Sequence, residues 1–322
     1  MNNRNFKKTL VAIAAGATLS ALGMAAANAE SLLFPYWSTE NGTTSVLSLA
    51  AGPVIGTGNG AGNIHYVWNY GSACTHFDNY GKLTANDLIQ QFVSQPQGTP
   101  ALFGDKSTPA YFPQINGGTS GFLIVSDLSS GQTAGGSVGP LGSLRGQMVI
   151  ASASAGIVTA YSGIPQTSAG LKEGDFSALN ANQYRLSWYP QSVVNPTSWF
   201  AVVTGDMSGV IGTGSNWTGS STYSNGGNVY GRDETHYSGT MGATFTCSVS
   251  LTPTSFMNSA QIASATNGGL VNVTFAPSAT TTSGAAADPS TGVILTKLET
   301  TTALGATNTF ITPEKATSGQ GW

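Results

Sequence analysis

Short runs of alternating apolar and polar residues constrain the fold of this chain more than any other feature of its sequence. In the clearest run, residues 243–252, the apolar residues from Ala243 to Leu251 alternate with serines and threonines. A period of two places every second side chain on the same face of a β-strand. The run therefore predicts one half-buried strand that points Cys247 into the core.

The same alternation recurs along the chain, and the runs are separated by clusters rich in Gly, Pro, Asn and Ser, such as 129–143 and 212–228. Further strands are predicted at 43–50, 64–70, 121–128, 146–153, 156–161, 184–189, 198–204, 270–276 and 292–299. Many short strands with Gly-rich turns predict an all-β fold, an antiparallel β-sandwich of immunoglobulin-like or related type.

Two segments predict short helices. Thr84 precedes an apolar run at helical spacing, and Asp87 stands three residues later, where a capping box has its acidic residue. This pattern predicts a helix that begins at Thr84 and continues to Phe92. A second short helix is predicted within residues 255–265.

The first 29 residues have the pattern of a signal peptide. Arg4, Lys7 and Lys8 precede an apolar run. Ala27-Asn28-Ala29 then has the small-x-small form of a cleavage site, with cleavage predicted after Ala29. We therefore expect export to the periplasm, the cell surface or the extracellular space. The mature region, residues 30–322, is then one large β domain or two packed β subdomains. It contains no stretch of the roughly 20 apolar residues that span a bilayer, so no transmembrane segment is predicted there.

The charge of the mature region restricts its partners. Three of the eleven basic residues lie in the signal peptide, which leaves eight against fourteen acidic residues, a formal net charge of −6. Nucleic acid and anionic lipid both need a basic patch, so neither is an expected partner. Uncharged Ser, Thr, Asn and Gly supply the polar surface instead. This surface favours self-association or contact with other surface proteins and glycans.

The chain has two cysteines, Cys74 and Cys247. In an exported protein the simplest interpretation is a disulfide between them. Two free thiols are the alternative, which fits an oxidising compartment less well.

Residues 78–87 resemble the later part of a calcium loop. With Gly81 at the sharp turn, Asp78, the carbonyl of Lys82 and Asp87 would be ligands. His76 and Tyr80 would then occupy two further ligand positions, where a hard cation prefers carboxylates. The favoured interpretation is an Asx turn that leads into the capped helix. No cofactor other than calcium is expected.

A zinc site is a second metal hypothesis, with His76, His236 and a carboxylate as ligands if the disulfide brings the two histidines together. Their spacing matches no known ligand pattern. Surface or hydrogen-bonded histidines are the default interpretation.

No complete catalytic motif is present. The one Gly-x-Ser-x-Gly sequence, residues 135–139, lies in a Gly-rich cluster before a predicted strand, whereas a nucleophile elbow needs a helix after it. The glycines of residues 56–62 likewise precede a strand rather than the helix that a phosphate loop requires. Paired carboxylates for glycoside hydrolysis could come from Asp175, Asp206, Asp233 or Glu234, although a solvated turn is the stronger interpretation of the last two. The aromatic residues that could stack on sugars, most of which we expect in the core, are Trp37, Trp68, Trp188, Trp199 and Trp217.

Two stretches resemble motifs in uncharacterised exported proteins of Gram-negative bacteria. One is Cys74-Thr-His-Phe-Asp-Asn-Tyr-Gly with Thr84-x-x-Asp87, and the other is Tyr230-Gly-Arg-Asp-Glu-x-x-x-Ser238-Gly with Cys247. Leu32-Leu-Phe-Pro-Tyr36 is similar in kind. The resemblance implies export and a surface location, and it carries over no catalytic residue.

These features predict an exported, non-catalytic structural or surface protein, such as a subunit of a surface layer, filament or matrix. The alternative is a secreted glycan-binding module or a glycoside or ester hydrolase. A structural protein is expected to self-associate, whereas a glycan binder needs exposed coplanar aromatic side chains. A hydrolase needs two carboxyls or a triad that converge in a cleft.

Overall fold

The computed structural model of the protein describes residues 31–53, 61–93, 119–128, 134–135, 137–138, 143–152, 157–166, 172–179, 181–189, 197–278, 291–301, 308–314 and 316–318. The predicted signal peptide and most of the glycine-rich segment 56–62 lie outside these residues. The chain divides into two compact units. The described residues of unit 1 come from 31–71, 75–175 and 207–216, and those of unit 2 come from 72–74, 176–206 and 217 onward.

In the described part of unit 1, nine strands form two antiparallel sheets. One sheet has the strand order β4-β3-β6-β1-β9, and the other has the order β5-β2-β7-β8. The strands are β1 (Ser31–Ser38), β2 (Thr43–Ala51), β3 (Ala61–Tyr70), β4 (Thr75–Thr84), β5 (Leu88–Phe92), β6 (Ser120–Leu128), β7 (Leu144–Ser152), β8 (Ile157–Ser162) and β9 (Ile164–Pro165).

The two sheets of unit 1 pack closely face to face. A Cβ atom on Gly146 of β7 would lie 2.7 Å from Cζ of Phe34 on β1, so glycine leaves the space that this ring fills. Trp37 and Trp68 meet edge to face in the same layer, with ring centroids 5.7 Å apart. Val67, on the other face of β3, is also fully buried. The central strands are therefore covered on both faces.

In the described part of unit 2, eleven strands form two antiparallel sheets. The larger sheet runs β14-β13-β17-β10-β20 and adds β12 beside β17 and β15 beside β12, while the smaller runs β16-β11-β18-β19. The strands are β10 (Gln183–Trp188), β11 (Ser198–Thr204), β12 (Ser220–Ser224), β13 (Val229–Gly231), β14 (His236–Tyr237), β15 (Gly242–Thr246), β16 (Ser248–Leu251), β17 (Gly269–Ser278), β18 (Gly292–Thr301), β19 (Asn308–Pro313) and β20 (Ala316–Ser318).

The larger sheet of unit 2 has one buried face and one face in solvent. On β10, Tyr184, Leu186 and Trp188 are buried, and the residues between them are exposed. The buried side chains join one core with residues of the smaller sheet, and the Tyr184 hydroxyl donates to the carbonyl of Val293 on β18. Alternation of this kind is typical of an antiparallel sheet with one solvated face. The predicted antiparallel all-β sandwich fold is confirmed.

Two short α-helices occur among the described residues, α1 (Ser208–Thr213) and α2 (Ser259–Ser264). The helix predicted within 255–265 is confirmed as α2. Asn258 caps it, because its side chain accepts from the Gln261 N–H at 2.9 Å and the Gln261 side chain accepts from the Asn258 N–H at 2.9 Å. None of the described helices is long and apolar enough to cross a membrane.

The helix predicted from Thr84 to Phe92 is wrong. Thr84 ends β4, and residues 88–92 form β5. The Asp87 N–H donates to the Thr84 carbonyl at 3.1 Å, and Asn86 between them has φ of 61°. Asn tolerates this left-handed conformation better than most residues, so the segment closes as a turn between two strands.

The pH dependence of stability in unit 2 is expected to include a contribution from Glu314. Burial raises the pKa of this carboxyl above its ordinary value of 4.5, although the Trp199 indole N–H that donates to it at 3.1 Å opposes the shift. The folded state therefore holds the proton more tightly than the unfolded state. The contribution of Glu314 to stability is greatest below the ordinary pKa of the carboxyl, and it is lost as the pH rises through the raised pKa of the folded state.

We therefore expect Glu314→Gln to be more stable than the wild type near pH 7, with an advantage that shrinks on acidification to pH 4. The glutamine oxygen still accepts from Trp199, so the two proteins differ mainly in charge. Urea unfolding of both proteins across this pH range measures the difference. A difference that does not change with pH would show that Glu314 titrates equally in both states.

Candidate functional site

The predicted disulfide between Cys74 and Cys247 is confirmed, with Cα atoms 5.6 Å apart. Cys74 ends the turn between β3 and β4, and Cys247 lies between β15 and β16. Both residues are fully buried and have left-handed backbones, with φ of 50° and 65°. The disulfide is compatible with a protein that resides outside the cytoplasm.

Cys247 interrupts the single strand that was predicted over residues 243–252. β15 before it pairs with β12 in the larger sheet, and β16 after it pairs with β11 in the smaller sheet. The Cys247 N–H donates to the Gly219 carbonyl at 2.7 Å, and its own carbonyl accepts from the Val203 N–H at 2.9 Å. Cys247 is thus the point at which the chain crosses from one sheet of unit 2 to the other.

A buried polar cluster lies in unit 1, centred on His65 of β3. His65 Nδ1 lies 2.8 Å from Oε1 of Glu173, and both side chains are fully buried. The other oxygen of Glu173 accepts from the Gly135 N–H at 2.9 Å. A carboxylate on Nδ1 fixes the orientation and tautomer of an imidazole, which leaves Nε2 aimed in a defined direction.

Nε2 of His65 faces Asp78 of β4, with 3.5 Å between Nε2 and Oδ2. The same Oδ2 atom lies 3.4 Å from Nε2 of His76. Glu173, His65, Asp78 and His76 thus form a row in which carboxylates alternate with imidazoles. Tyr80 stacks on the His65 ring at 4.3 Å between centroids, and its pKa is raised by burial and by the charges of Asp78 and Glu173.

The serine opposite His65 in the neighbouring strand belongs to a separate hydrogen bond. Ser126 of β6 lies opposite His65 in the strand register, and its Oγ is 2.6 Å from Oγ of Ser31 on β1. Because Nε2 of His65 faces a carboxylate, the row holds an oriented imidazole between two acids. This arrangement ties a loop residue, Glu173, to the sheet.

The residues of the predicted calcium loop lie in a strand. Asp78 and Lys82 are both within β4, opposite Val67 and Asn63 of β3. A strand rises about 3.3 Å per residue, so Asp78 and the end of β4 are roughly 20 Å apart. Asp87 follows that end and accepts from the Leu88 N–H at 2.8 Å. The geometry corrects the predicted loop, because an extended backbone does not turn these oxygens toward one ion.

The predicted zinc ligands belong to different units. His76 lies in unit 1 and contacts Asp78, and His236 lies in unit 2, where its Nε2 is 2.9 Å from the Gly227 carbonyl oxygen. Within the described residues, no group of three His, Cys, Asp or Glu side chains is arranged to hold a metal ion.

The carboxylates considered for catalysis are divided between the units, with Asp175 in unit 1 and Asp206, Asp233 and Glu234 in unit 2. Asp233 is exposed and accepts from the Thr235 N–H and hydroxyl at 3.2 and 2.9 Å, which lowers its pKa. It therefore organises a surface turn. The tryptophans considered for sugar stacking are all buried: Trp37, Trp68, Trp188, Trp199 and Trp217.

The outward side of the larger sheet in unit 2 carries a regular array of hydroxyl groups, which we name the hydroxyl face. It consists of nine positions on β15, β12 and β17, and seven of them are Ser or Thr. The strand register aligns them in three rows: Thr246, Ser220 and Ser278; Thr244, Thr222 and Ala276; and Gly242, Ser224 and Thr274.

The hydroxyl face is uncharged and regular. Within the rows, Thr222 Oγ1 lies 2.7 Å from Thr244 Oγ1, and Ser220 Oγ lies 3.2 Å from Ser278 Oγ. On a pleated sheet, successive rows are roughly 7 Å apart along the strands, and neighbouring positions within a row are roughly 4.8 Å apart. Seven of the nine positions are exposed, and Ser220 and Ser224 are half-buried. Hydroxyls both donate and accept, so such an array can bind any surface that offers either group.

Comparisons of the chain with known protein families, with curated proteins and with solved structures find no match.

Proposed function

We propose that the protein is an exported, non-catalytic structural protein that self-associates as a subunit of a surface layer, filament or matrix. The hydroxyl face is the observation that carries this proposal. Two copies of an uncharged face meet without like-charge repulsion, and each hydroxyl can donate to its counterpart or accept from it. The same face is therefore complementary to itself, which is the property that an isologous contact between identical subunits requires.

The placement of the aromatic residues supports the structural role over glycan binding. A sugar-stacking platform uses exposed rings, and the five tryptophans considered for that role pack inside the two units. The buried row in unit 1 supports the structural role over a hydrolase, since Glu173 and Asp78 face the two ring nitrogens of His65. Export rests on the signal-peptide pattern, with which the disulfide is compatible.

The proposal is tested by the association state of residues 30–322, measured by light scattering and sedimentation over a range of concentrations. We expect assembly that increases with concentration. Thr222→Lys places a charge at the centre of the hydroxyl face, and we expect it to weaken assembly. Thr266→Lys is the matched control, because Thr266 is also exposed but lies in a turn outside the face. A wild-type protein that stays strictly monomeric at high concentration, with or without calcium, would overturn the proposal.

A further inference from the structure

The outer edge of β15 borders the hydroxyl face. Among the described strands, β15 pairs with β12 alone, and its sequence, Gly-Ala-Thr-Phe-Thr, contains no charge and no proline. Edge strands usually carry charged residues or proline, which block pairing with another chain. The edge strand β4 in unit 1 has Asp78 and Lys82, for example. The β15 edge lacks these protections.

Two hydrogen bonds define which backbone groups of β15 point outward. The Cys247 N–H donates to the Gly219 carbonyl, and the Asn225 N–H donates to the Met241 carbonyl, so both ends of the β12–β15 pairing are hydrogen-bonded pairs. In an antiparallel ladder such pairs recur at every second residue. Ala243 and Phe245 therefore turn their backbone groups toward β12.

The intervening residues, Gly242, Thr244 and Thr246, turn their N–H and C=O groups away from β12. They are the same residues that β15 contributes to the hydroxyl face, and all three are exposed. The open edge thus offers three donors and three acceptors, with Thr244 at the centre.

We propose that β15 pairs antiparallel with β15 of a second copy, about a two-fold axis that passes beside Thr244. This proposal rests on the proposed function and names the edge through which two copies join. Thr244 then forms a hydrogen-bonded pair with its own counterpart, and Gly242 pairs with Thr246 on each side. The larger sheets of two copies become one continuous sheet, and the rows of the hydroxyl face extend across the axis.

Cross-linking tests the register directly. Opposite residues of a hydrogen-bonded antiparallel pair have Cα atoms about 5.5 Å apart, which lies within the range that a disulfide spans. The described residues contain no free cysteine. We therefore expect Thr244→Cys to form a covalent dimer on mild oxidation, and Thr266→Cys, the exposed control, to form little. Equal cross-linking of the two variants would overturn the proposed pairing.

Proline at position 244 tests the backbone contribution. The Thr244 N–H points away from β12, so Thr244→Pro removes no backbone hydrogen bond within the subunit, but it deletes both bonds of the central pair. It also removes the side-chain hydrogen bond to Thr222 Oγ1, which Thr244→Val removes as well. We expect the association constant to fall by at least about tenfold, the equivalent of 1.4 kcal/mol, with unchanged circular dichroism. Thr244→Val retains the N–H, so we expect it to associate more strongly than the proline variant.

These variants separate this inference from the proposed function. If the wild type assembles and Thr222→Lys weakens assembly, but Thr244→Pro has no effect, then the edge pairing is wrong and the hydroxyl face remains the contact. If the wild type is a strict monomer and Thr244→Cys does not cross-link, both proposals fail.

Discussion

Replacement of both Cys74 and Cys247 by alanine is expected to lower the free energy of unfolding by about 4–5 kcal/mol. The disulfide joins residues 173 positions apart, so it removes a large part of the conformational freedom of the unfolded chain. Domains are typically stable by only about 5–15 kcal/mol, so the loss is a large fraction of the total. Urea unfolding followed by tryptophan fluorescence measures it through the shift in midpoint.

Reduction of the wild type provides the control. The wild-type protein unfolded with a reducing agent present should match the Cys74→Ala/Cys247→Ala variant, and the variant itself should not respond to the reductant. An effect of the cross-link alone predicts this equality, whereas an effect of lost side-chain packing appears only in the variant. A variant whose midpoint equals that of the oxidised wild type would contradict the prediction.

The strands could be predicted because alternation is a local property that the tertiary structure preserves. Residues 198–204 and 184–189, for example, correspond to β11 and β10 within one residue at either end. The break at Cys247 could not be predicted in the same way. Phe245 and Leu251 are both buried on either side of it, so the inward pattern continues while the chain changes sheets. A positive φ at one non-glycine residue leaves no mark in such a pattern.

The helix error at Thr84 has a related cause. Short polar residues that cap helices also close turns, because both roles use a side chain or backbone group that bonds two or three residues away. Thr84 and Asp87 satisfy either pattern. Pairing of β5 with β2 decides between them, and that long-range contact is not written in the local sequence.

The sequence predicts the strand over residues 64–70 that contains His65, but it does not indicate Glu173 as the partner of His65. The two residues are 108 positions apart, and Glu173 lies in a short polar segment that resembles a solvated loop. The hydroxyl face was missed in part for the same reason. Its three strands each carry two or three Ser or Thr residues on one face, but the register that aligns them in rows is a property of the folded sheet.

The second large effect is expected when the His65–Glu173 pair is broken. His65→Leu removes the donor to Oε1 of Glu173 and leaves that carboxylate buried with the Gly135 N–H on its other oxygen. Loss of its donor leaves a buried carboxylate oxygen without a hydrogen bond, which destabilises a protein by about 1–3 kcal/mol, and by more when the group is charged. We expect a decrease of this size in the free energy of unfolding, measured by urea titration at neutral pH.

The double variant His65→Leu/Glu173→Leu distinguishes a buried charge from a simple loss of packing. Without the carboxylate, the leucine at position 65 no longer faces an uncompensated charge, so the double variant should be more stable than His65→Leu alone. The coupling energy between the two sites is then the difference between the double variant and the sum of the single ones. Strictly additive losses would mean that the imidazole and the carboxylate contribute independently. In that case Glu173 would not need His65 to remain buried against the sheet.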